Sequence, residues 1–374
     1  MRAKEITETT NVVDYTHWHS LGDAMRASCY ASLDDALEIL AGYDIELKNG
    51  NSNHAPMVAE SLCAMGRPQA VIPWIAQYKE RLLPRPAPRD PIRAETWRST
   101  LGKRDRFADW ADFFGDELRQ APWPGVLDRW TARLAPGFCG AATHGVIRVG
   151  HAVRSLAVNE TPGRMRELGD ALASWAATYR ELPSGDLTTS HPMSPREAIA
   201  EVPVIASHDR RSLGNITASL AMLDDFTEFA SAIGLLDISG DKDRLLVGLT
   251  ELFARIYLAN AHDVLTTIVF IHGVTSLAAL GGVIPYVSDA AARSALRYAW
   301  QAGCALYACF GTRSIAENLD QCKQDAETLI DRALDNGDEH VIKFTEACLR
   351  RHALGSSPAY GVAIDHAIGT IRRR

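Results

Sequence analysis

His340 and Lys343 stand three residues apart in the stretch DEHVIKFTEACLRR, residues 338–351. On a helix that spacing puts both on one side, against Phe344, Ala347 and Cys348. A lysine pressed into an apolar face has a depressed pKa, so part of its amine is neutral and nucleophilic. Such an amine can capture carbon dioxide as a carbamate, which turns a cation into an anionic oxygen donor. Lys343 and His340 would then offer one oxygen and one imidazole nitrogen, donors that suit iron(II) or another borderline divalent metal. The plainer alternative is a lysine that snorkels past the rim of a solvated helix.

A metal needs more ligands, and the chain has twelve histidines. His54, His144, His151, His272 and His340 lie in apolar or small-residue helical contexts; His17, His19, His191, His208, His262, His352 and His366 lie in polar or loop contexts. His54 opens a helix in NSNHAPMVAESL, where Pro56 fits the first turn. Asn53 or His54 can simply cap that helix. In GAATHGVIRVGHAVRSL, His144, Arg148, His151 and Ser155 form one polar stripe opposite Val146, Val149, Val153 and Leu156. That stripe is either a solvent face or a cavity wall. Gly140, Gly145 and Gly150 permit close approach of a neighbour.

His272 sits in a helix with no polar face. A buried imidazole needs a partner, and Thr275 and Ser276 lie one turn on. Each histidine alone reads more readily as a satisfied core residue. Taken together they make a set of neutral nitrogen ligands, with Asn53, Thr143, Arg148, Thr275 and Glu339 available to hold them.

The elements that must position these residues are helical almost throughout. SLDDALEILAGY carries Leu33, Ala36, Leu37 and Leu40 at helical spacing, with Ser32 as N-cap and Asp35 in the first turn. APMVAESLCAMG ends in Gly66, a C′ glycine, and PQAVIPWIAQYKERLL is a third helix. The proline-rich 85–96 and the turn-rich 183–198 are surface crossings. Between and beyond them the periodicity predicts helices near 105–119, 123–134, 138–157, 162–181, 214–233, 241–260, 263–281, 287–310, 320–335, 338–352 and 360–372. EVPVIAS is the only strand candidate. The stretch 264–287 has no charged residue and is long enough to span a bilayer, yet it holds hydroxyls, a histidine, glycines and a proline and lacks basic flanks. It reads as a central helix apolar all round and buried. The expectation is one all-α domain over 1–374, with the metal site between helices.

Composition sets outer limits. The 374 residues are 47% hydrophobic and 23% charged, ordinary for a globular protein. A net charge of −7 argues against a nucleic-acid partner. Seven cysteines without a CxxC pair read as reduced, buried residues. With no apolar leader in MRAKEITETTNVVDY, a cytoplasmic location without membrane attachment is expected. No Rossmann, P-loop, nucleophile-elbow or HExxH signature is present. Trp110, Trp123, Trp130 and Phe138 are either the lining of a cavity for an aromatic ligand or ordinary core.

Four pieces of the chain resemble the questin oxidase-like family, helical proteins that include aromatic-polyketide oxygenases. They are NSNHAPMVAESLCAMGR, FCGAATHGVIRVGHAVRSL, IVFIHGVTSLAAL and DEHVIKFTEACLR, in this order from residue 51 to 350. The resemblance implies a non-haem iron(II) enzyme that uses dioxygen, with Baeyer–Villiger-type or ring-opening cleavage of an anthraquinone or anthrone. It implies His54, His144, His272 and His340 as metal ligands and Lys343 as a carboxylated ligand. His151 falls where fungal relatives carry an aromatic residue and is held as outer-sphere or substrate-facing. Arg148 would bind a phenolate or carboxylate, or pair with a neighbouring acid. A second histidine often follows the NH element three residues on; here that position is Met57. NADPH has no supporting motif. A small aromatic substrate is the expected partner, and a homodimer is allowed for. The alternatives are a metal-dependent hydrolase and a non-catalytic helical binding protein.

Overall fold

The computed structural model describes residues 28–185, 193–211, 214–312 and 314–372. The opening fifteen residues, His17, His19, His191 and the arginines at 373 and 374 lie outside that set. Helices dominate: α1 (Ala31–Leu40), α2 (Ala55–Ala64), α3 (Val71–Tyr78), α4 (Phe107–Gln120), α5 (Trp123–Leu134), α6 (His144–Val158), α7 (Pro162–Ala177), α8 (Pro195–Ala200) and α9 (Ile216–Leu220). They continue as α10 (Lys242–Asn260), α11 (Val264–Val283), α12 (Asp289–Phe310), α13 (Ala326–Asn336), α14 (Glu339–Leu354) and α15 (Pro358–Thr370). Two short strands, β1 (Tyr43–Leu47) and β2 (Leu82–Pro84), pair antiparallel.

The core is built around α11, which packs on α6, α10, α12 and α14. The apolar stretch Val264–Tyr286 could span a bilayer by composition, but 83% of its most apolar window is buried inside the protein. A helix with no polar face has to be covered on all sides, and here other helices do it. α2 packs on α6 and α14, so α2, α6, α11 and α14 form a continuous group. All seven cysteines are free, five of them buried.

Most helix boundaries fall where periodicity puts them, and the departures have local causes. Gly66 does close α2: it has φ +67. Its N–H reaches Cys63 O at 3.0 Å and the Arg67 N–H reaches Leu62 O at 2.8 Å, a Schellman closure. Ser32 is not an N-cap; α1 starts one residue before it, Asp34 rather than Asp35 is in its first turn, and no side chain caps it. The third helix stops at Tyr78, because Leu82–Pro84 turns extended to pair with β1. EVPVIAS is irregular rather than a strand, with Ile205 N–H on Ala308 O at 3.0 Å. The helix expected near 214–233 breaks into α9 and two 3₁₀ segments, Ala221–Asp224 and Thr227–Gly234. Asp224 sits at that break, where Arg180 holds it at 2.9 Å.

Of the two readings of Trp110, Trp123, Trp130 and Phe138, cavity lining or ordinary core, the structure shows core packing. Trp130 stands edge-on to Phe114 at 4.9 Å and to Trp97 at 5.0 Å, with Trp110 at 5.9 Å. Trp123 packs on Tyr286 at 4.9 Å and Phe138 on Trp175 at 6.2 Å. Ring-on-ring contact of this kind is ordinary aromatic packing.

Candidate metal centre

Each site histidine is delivered by a specific local device. His54 occupies the N-cap position of α2 without capping it, since Asn53 Oδ1 takes the Ala55 N–H at 2.9 Å. That leaves the His54 ring free to turn inward. His340 is the second residue of α14, where Asp338 is the cap and accepts its N–H at 2.8 Å. His272 comes from the middle of α11.

His144 needs the most unusual device. The helix expected over 138–157 is interrupted just before it. Ala141, Ala142 and Thr143 have φ of 46°, 54° and 71°, three left-handed residues in a row. For residues with a Cβ this costs roughly 1–2 kcal/mol each. The turn re-aims the chain so that α6 begins at His144, and it folds the Ala141 carbonyl back onto the His144 ring. Glycine clears the way on either side. A Cβ on Gly140 would lie 2.2 Å from Thr178 O, one on Gly145 2.6 Å from Trp175 Cα, and one on Gly150 2.5 Å from Ala279 O.

The four rings converge. His54 Nε2 lies 2.8 Å from His144 Nε2, which lies 3.2 Å from His272 Nε2. The His340 ring centroid is 4.8 Å from that of His54 and 5.7 Å from that of His272. Ligand atoms of His54, His144 and His340 all lie within 4.8 Å of one another, and His272 joins that trio through His144. His144 and His340 keep part of their surface open; His54 and His272 are buried.

The other ring nitrogens are tied. His144 Nδ1–H donates to Ala141 O at 2.5 Å and His272 Nδ1–H to Ile268 O at 2.6 Å. His340 Nδ1 is 3.1 Å from Asp338 Oδ1, and His54 Nδ1 is 3.4 Å from the Tyr78 hydroxyl, which also accepts the His54 backbone N–H. A carbonyl can only accept, so His144 and His272 carry their proton on Nδ1 and present bare lone pairs at Nε2. Two lone pairs facing at 3.2 Å repel unless a cation stands between them. Nitrogens on neighbouring positions of one metal, each about 2.0–2.1 Å from it, would be about 2.8–3.4 Å apart. The observed spacings fit that geometry, and the tied Nδ1 atoms supply the orienting contacts that metal-bound histidines require.

Protonation is a poor substitute for the metal. Burial first, then the charge of Lys343 and the other rings, holds His54 well below its ordinary pKa. Burial, then His272 and Lys343, does the same for His144; burial, then His340 and Lys343, for His272. Burial lowers the Lys343 amine to about 7, although Glu339 and Asp338 pull the other way. Lys343 is buried, and among the described residues its amine makes no hydrogen bond or ion pair. Of the two readings of this lysine, the snorkelling one is excluded by that burial.

The orienting partners differ from those the sequence suggests. Thr275 Oγ1 bonds its own helix at Ile271 O, 2.9 Å away, and Glu339 pairs with Arg81 at 3.2 Å. Among the described residues the buried Thr143 hydroxyl has no hydrogen-bond partner. Helical side chains lean toward the N-terminus, so His272 reaches back to Ile268 rather than forward to Thr275 or Ser276. Tyr78 gives no sequence signal; Asp338 does, as an N-cap acid two residues before His340.

Arg148 and His151 stand apart from the imidazoles. Arg148 Nε and Nη2 bond Glu167 at 2.6 and 2.8 Å, a buried pair. The alternative of a neighbouring acid is the one realised, and it fixes α6 to α7. His151 belongs to a second buried polar layer. Its Nδ1 is 2.7 Å from Glu60 Oε2. Tyr30 donates to Glu60 Oε1 at 2.7 Å, and Arg154 bonds both Glu60 and Glu346. Arg350 donates to Glu346 at 2.8 Å and to Ala278 O at 3.1 Å. The members of this layer follow the histidines on α2, α6, α11 and α14 in the N-to-C direction. Those four helices therefore run parallel from the imidazole layer to the charged layer. Met57, Ile147 and Ala279 fill the level between as an apolar cluster separate from the main core.

The profile of the questin oxidase-like family matches residues 51–348. The chain belongs to that family. His54, His144, His272, His340 and Lys343 all fall inside the matched span. Questin oxidase-like membership implies an oxidoreductase and points to an oxygenase of aromatic polyketides. No curated protein matches the sequence significantly.

Proposed function

We propose that the chain is a non-haem iron(II)-dependent oxygenase that cleaves a C–C bond in an aromatic polyketide such as an anthrone or anthraquinone. The observation that carries the reading is the pair of unprotonated Nε2 atoms of His144 and His272, facing each other at 3.2 Å with both Nδ1 atoms tied to carbonyls. His54 and His340 complete a nitrogen set on the same point. When bound, iron(II) supplies the one-electron chemistry that ground-state dioxygen requires.

The chain's own residues do the rest. The neutral Lys343 amine attacks carbon dioxide; a C–N bond forms, a proton leaves, and the resulting carbamate gives the site an anionic oxygen. That charge offsets the cation that four neutral imidazoles leave uncompensated. Asp338, Tyr78 and the Ala141 and Ile268 carbonyls hold the rings in place, so no ligand has to be ordered when the metal enters. Met57, Ile147 and Ala279 pack as a buried apolar layer behind the imidazoles and keep water from that side of the site.

Metal analysis of the purified protein tests the reading. About one iron per chain is expected, with oxygen uptake on adding an anthrone and loss of both in His272→Ala. Bound zinc without iron would favour a hydrolase that uses the same ligands. A chain that binds neither metal, yet folds, would leave only the binding-protein reading.

A further inference from the structure

Each helix that carries a site histidine also sends a group into the buried charged layer. From α2 comes Glu60, six residues after His54, and from α6 come His151 and Arg154, seven and ten residues after His144. α11 gives the Ala278 carbonyl, six residues after His272, and α14 gives Glu346 and Arg350, six and ten residues after His340. The layer therefore stands roughly 9–15 Å along the helices from the imidazoles.

Its bonds run between helices. His151 Nδ1 meets Glu60 Oε2 at 2.7 Å and Arg154 reaches the same carboxylate, which ties α6 to α2. Arg154 also bonds Glu346, which ties α6 to α14. Arg350 donates to Glu346 Oε1 at 2.8 Å and to Ala278 O at 3.1 Å, which ties α14 to α11. Arg154 further packs on α11, where a Cβ on Gly282 would lie 3.0 Å from its Cγ. These ties have something to oppose. Without a cation, the lone pairs of His144 and His272 face each other at 3.2 Å, and their repulsion favours parting α6 from α11.

The layer is not arranged for stability alone. Among the described residues, Arg154 Nε and Glu346 Oε2 are buried without a hydrogen-bond partner. Burial raises the Glu346 carboxyl, but Arg154 and Arg350 outweigh it and hold the group at about 2, so it is ionised at neutral pH. Well-packed apolar residues often stabilise a fold as much as such a buried ion network does, whereas the network fixes which groups stand opposite one another.

We propose that Arg154 and Glu346 are positioning residues for the metal: they clamp the four helices at the spacing their imidazoles need before any metal enters. The inference rests on the metal-site reading above. Neither side chain touches the ion; each acts through the helix that carries it. A ligand set keeps its geometry only when the residues behind it are themselves locked.

The test is a titration of cobalt(II) into the metal-free protein without oxygen, followed by its visible bands. The variants are Arg154→Met and the charge-balanced pair Arg154→Met with Glu346→Met. Removing a cation near the site would by charge alone tighten the binding of another. Loss of the clamp instead raises the cobalt Kd, by about tenfold in both variants. The visible bands should change as well, because they follow the number and geometry of the ligands. Helix content and urea unfolding of the metal-free variants are measured alongside, and the double variant should stay folded. Native or tighter cobalt affinity in a folded variant, or an unchanged spectrum, overturns the inference and leaves the metal reading standing. An unfolded double variant also overturns it, because the layer would then be needed for the fold itself. Native protein that binds no cobalt sinks the metal reading, and this inference with it.

Discussion

Replacing Lys343 by methionine should stabilise the metal-free protein at neutral pH. The substitution keeps the length and apolar stem of the side chain and removes the amine. Burial takes that amine from 10.5 to about 7. At about 1.4 kcal/mol per unit, the folded chain bears roughly 5 kcal/mol when the amine is charged. The sign follows from proton binding. Between about pH 7 and 10.5 the unfolded chain holds a proton at this lysine that the folded chain lacks. Stability of the native chain therefore rises with pH across that window, and the penalty is fully present below it. Lys343→Met removes both the penalty and the slope.

The assay is urea unfolding of both chains, stripped of metal, in buffer free of carbon dioxide, at several pH values. The variant should lead by several kcal/mol near neutrality, and the lead should vanish toward about pH 10.5. His54, His144 and His272 are held well below their ordinary pKa, so in both folded chains they are neutral across this window and add little slope to the difference. Adding iron and bicarbonate should erase most of that lead, because only the native lysine can become a carbamate. A ligand at a thousand times its Kd stabilises by about 4 kcal/mol. The reasoning fails if the metal-free variant is the less stable chain at neutral pH, or if the difference does not change with pH. Either result would mean that the amine has a partner in the folded state.

Two further outcomes follow from the packing. Arg148→Met leaves the Glu167 carboxylate buried and unpaired, so unfolding free energy should fall by about 3–5 kcal/mol. The double variant with Glu167→Leu should recover most of that, and iron content should hardly change if Arg148 acts only through α7. Gly150→Ala puts a methyl 2.5 Å from Ala279 O, between the helices that carry His144 and His272. Stability should drop by about 1–3 kcal/mol, and iron affinity should fall with it; unchanged iron binding would show that the α6–α11 spacing does not set the site.

Much of this protein is written in local order. The spacing of apolar residues locates most of the helices, because a 3.6-residue repeat is a property of the chain itself. The histidines in apolar contexts stand out for the same reason, and so does a lysine beside one of them. Gly140, Gly145 and Gly150 announce close approaches that the structure makes. What the sequence does not carry is which neighbour satisfies which group. Thr275 looks like the partner of His272, but the lean of helical side chains gives that role to Ile268 O. His151 and His144 share a stripe and a pattern, yet His144 meets the rings of His54 and His272 whereas His151 meets Glu60. The left-handed turn at Ala141–Thr143 has no local signature at all. Alanine and threonine do not favour it, so only the surrounding packing can hold it. Local propensity chooses the elements, whereas the partner of a buried polar group depends on residues distant in sequence that folding brings within a few ångströms.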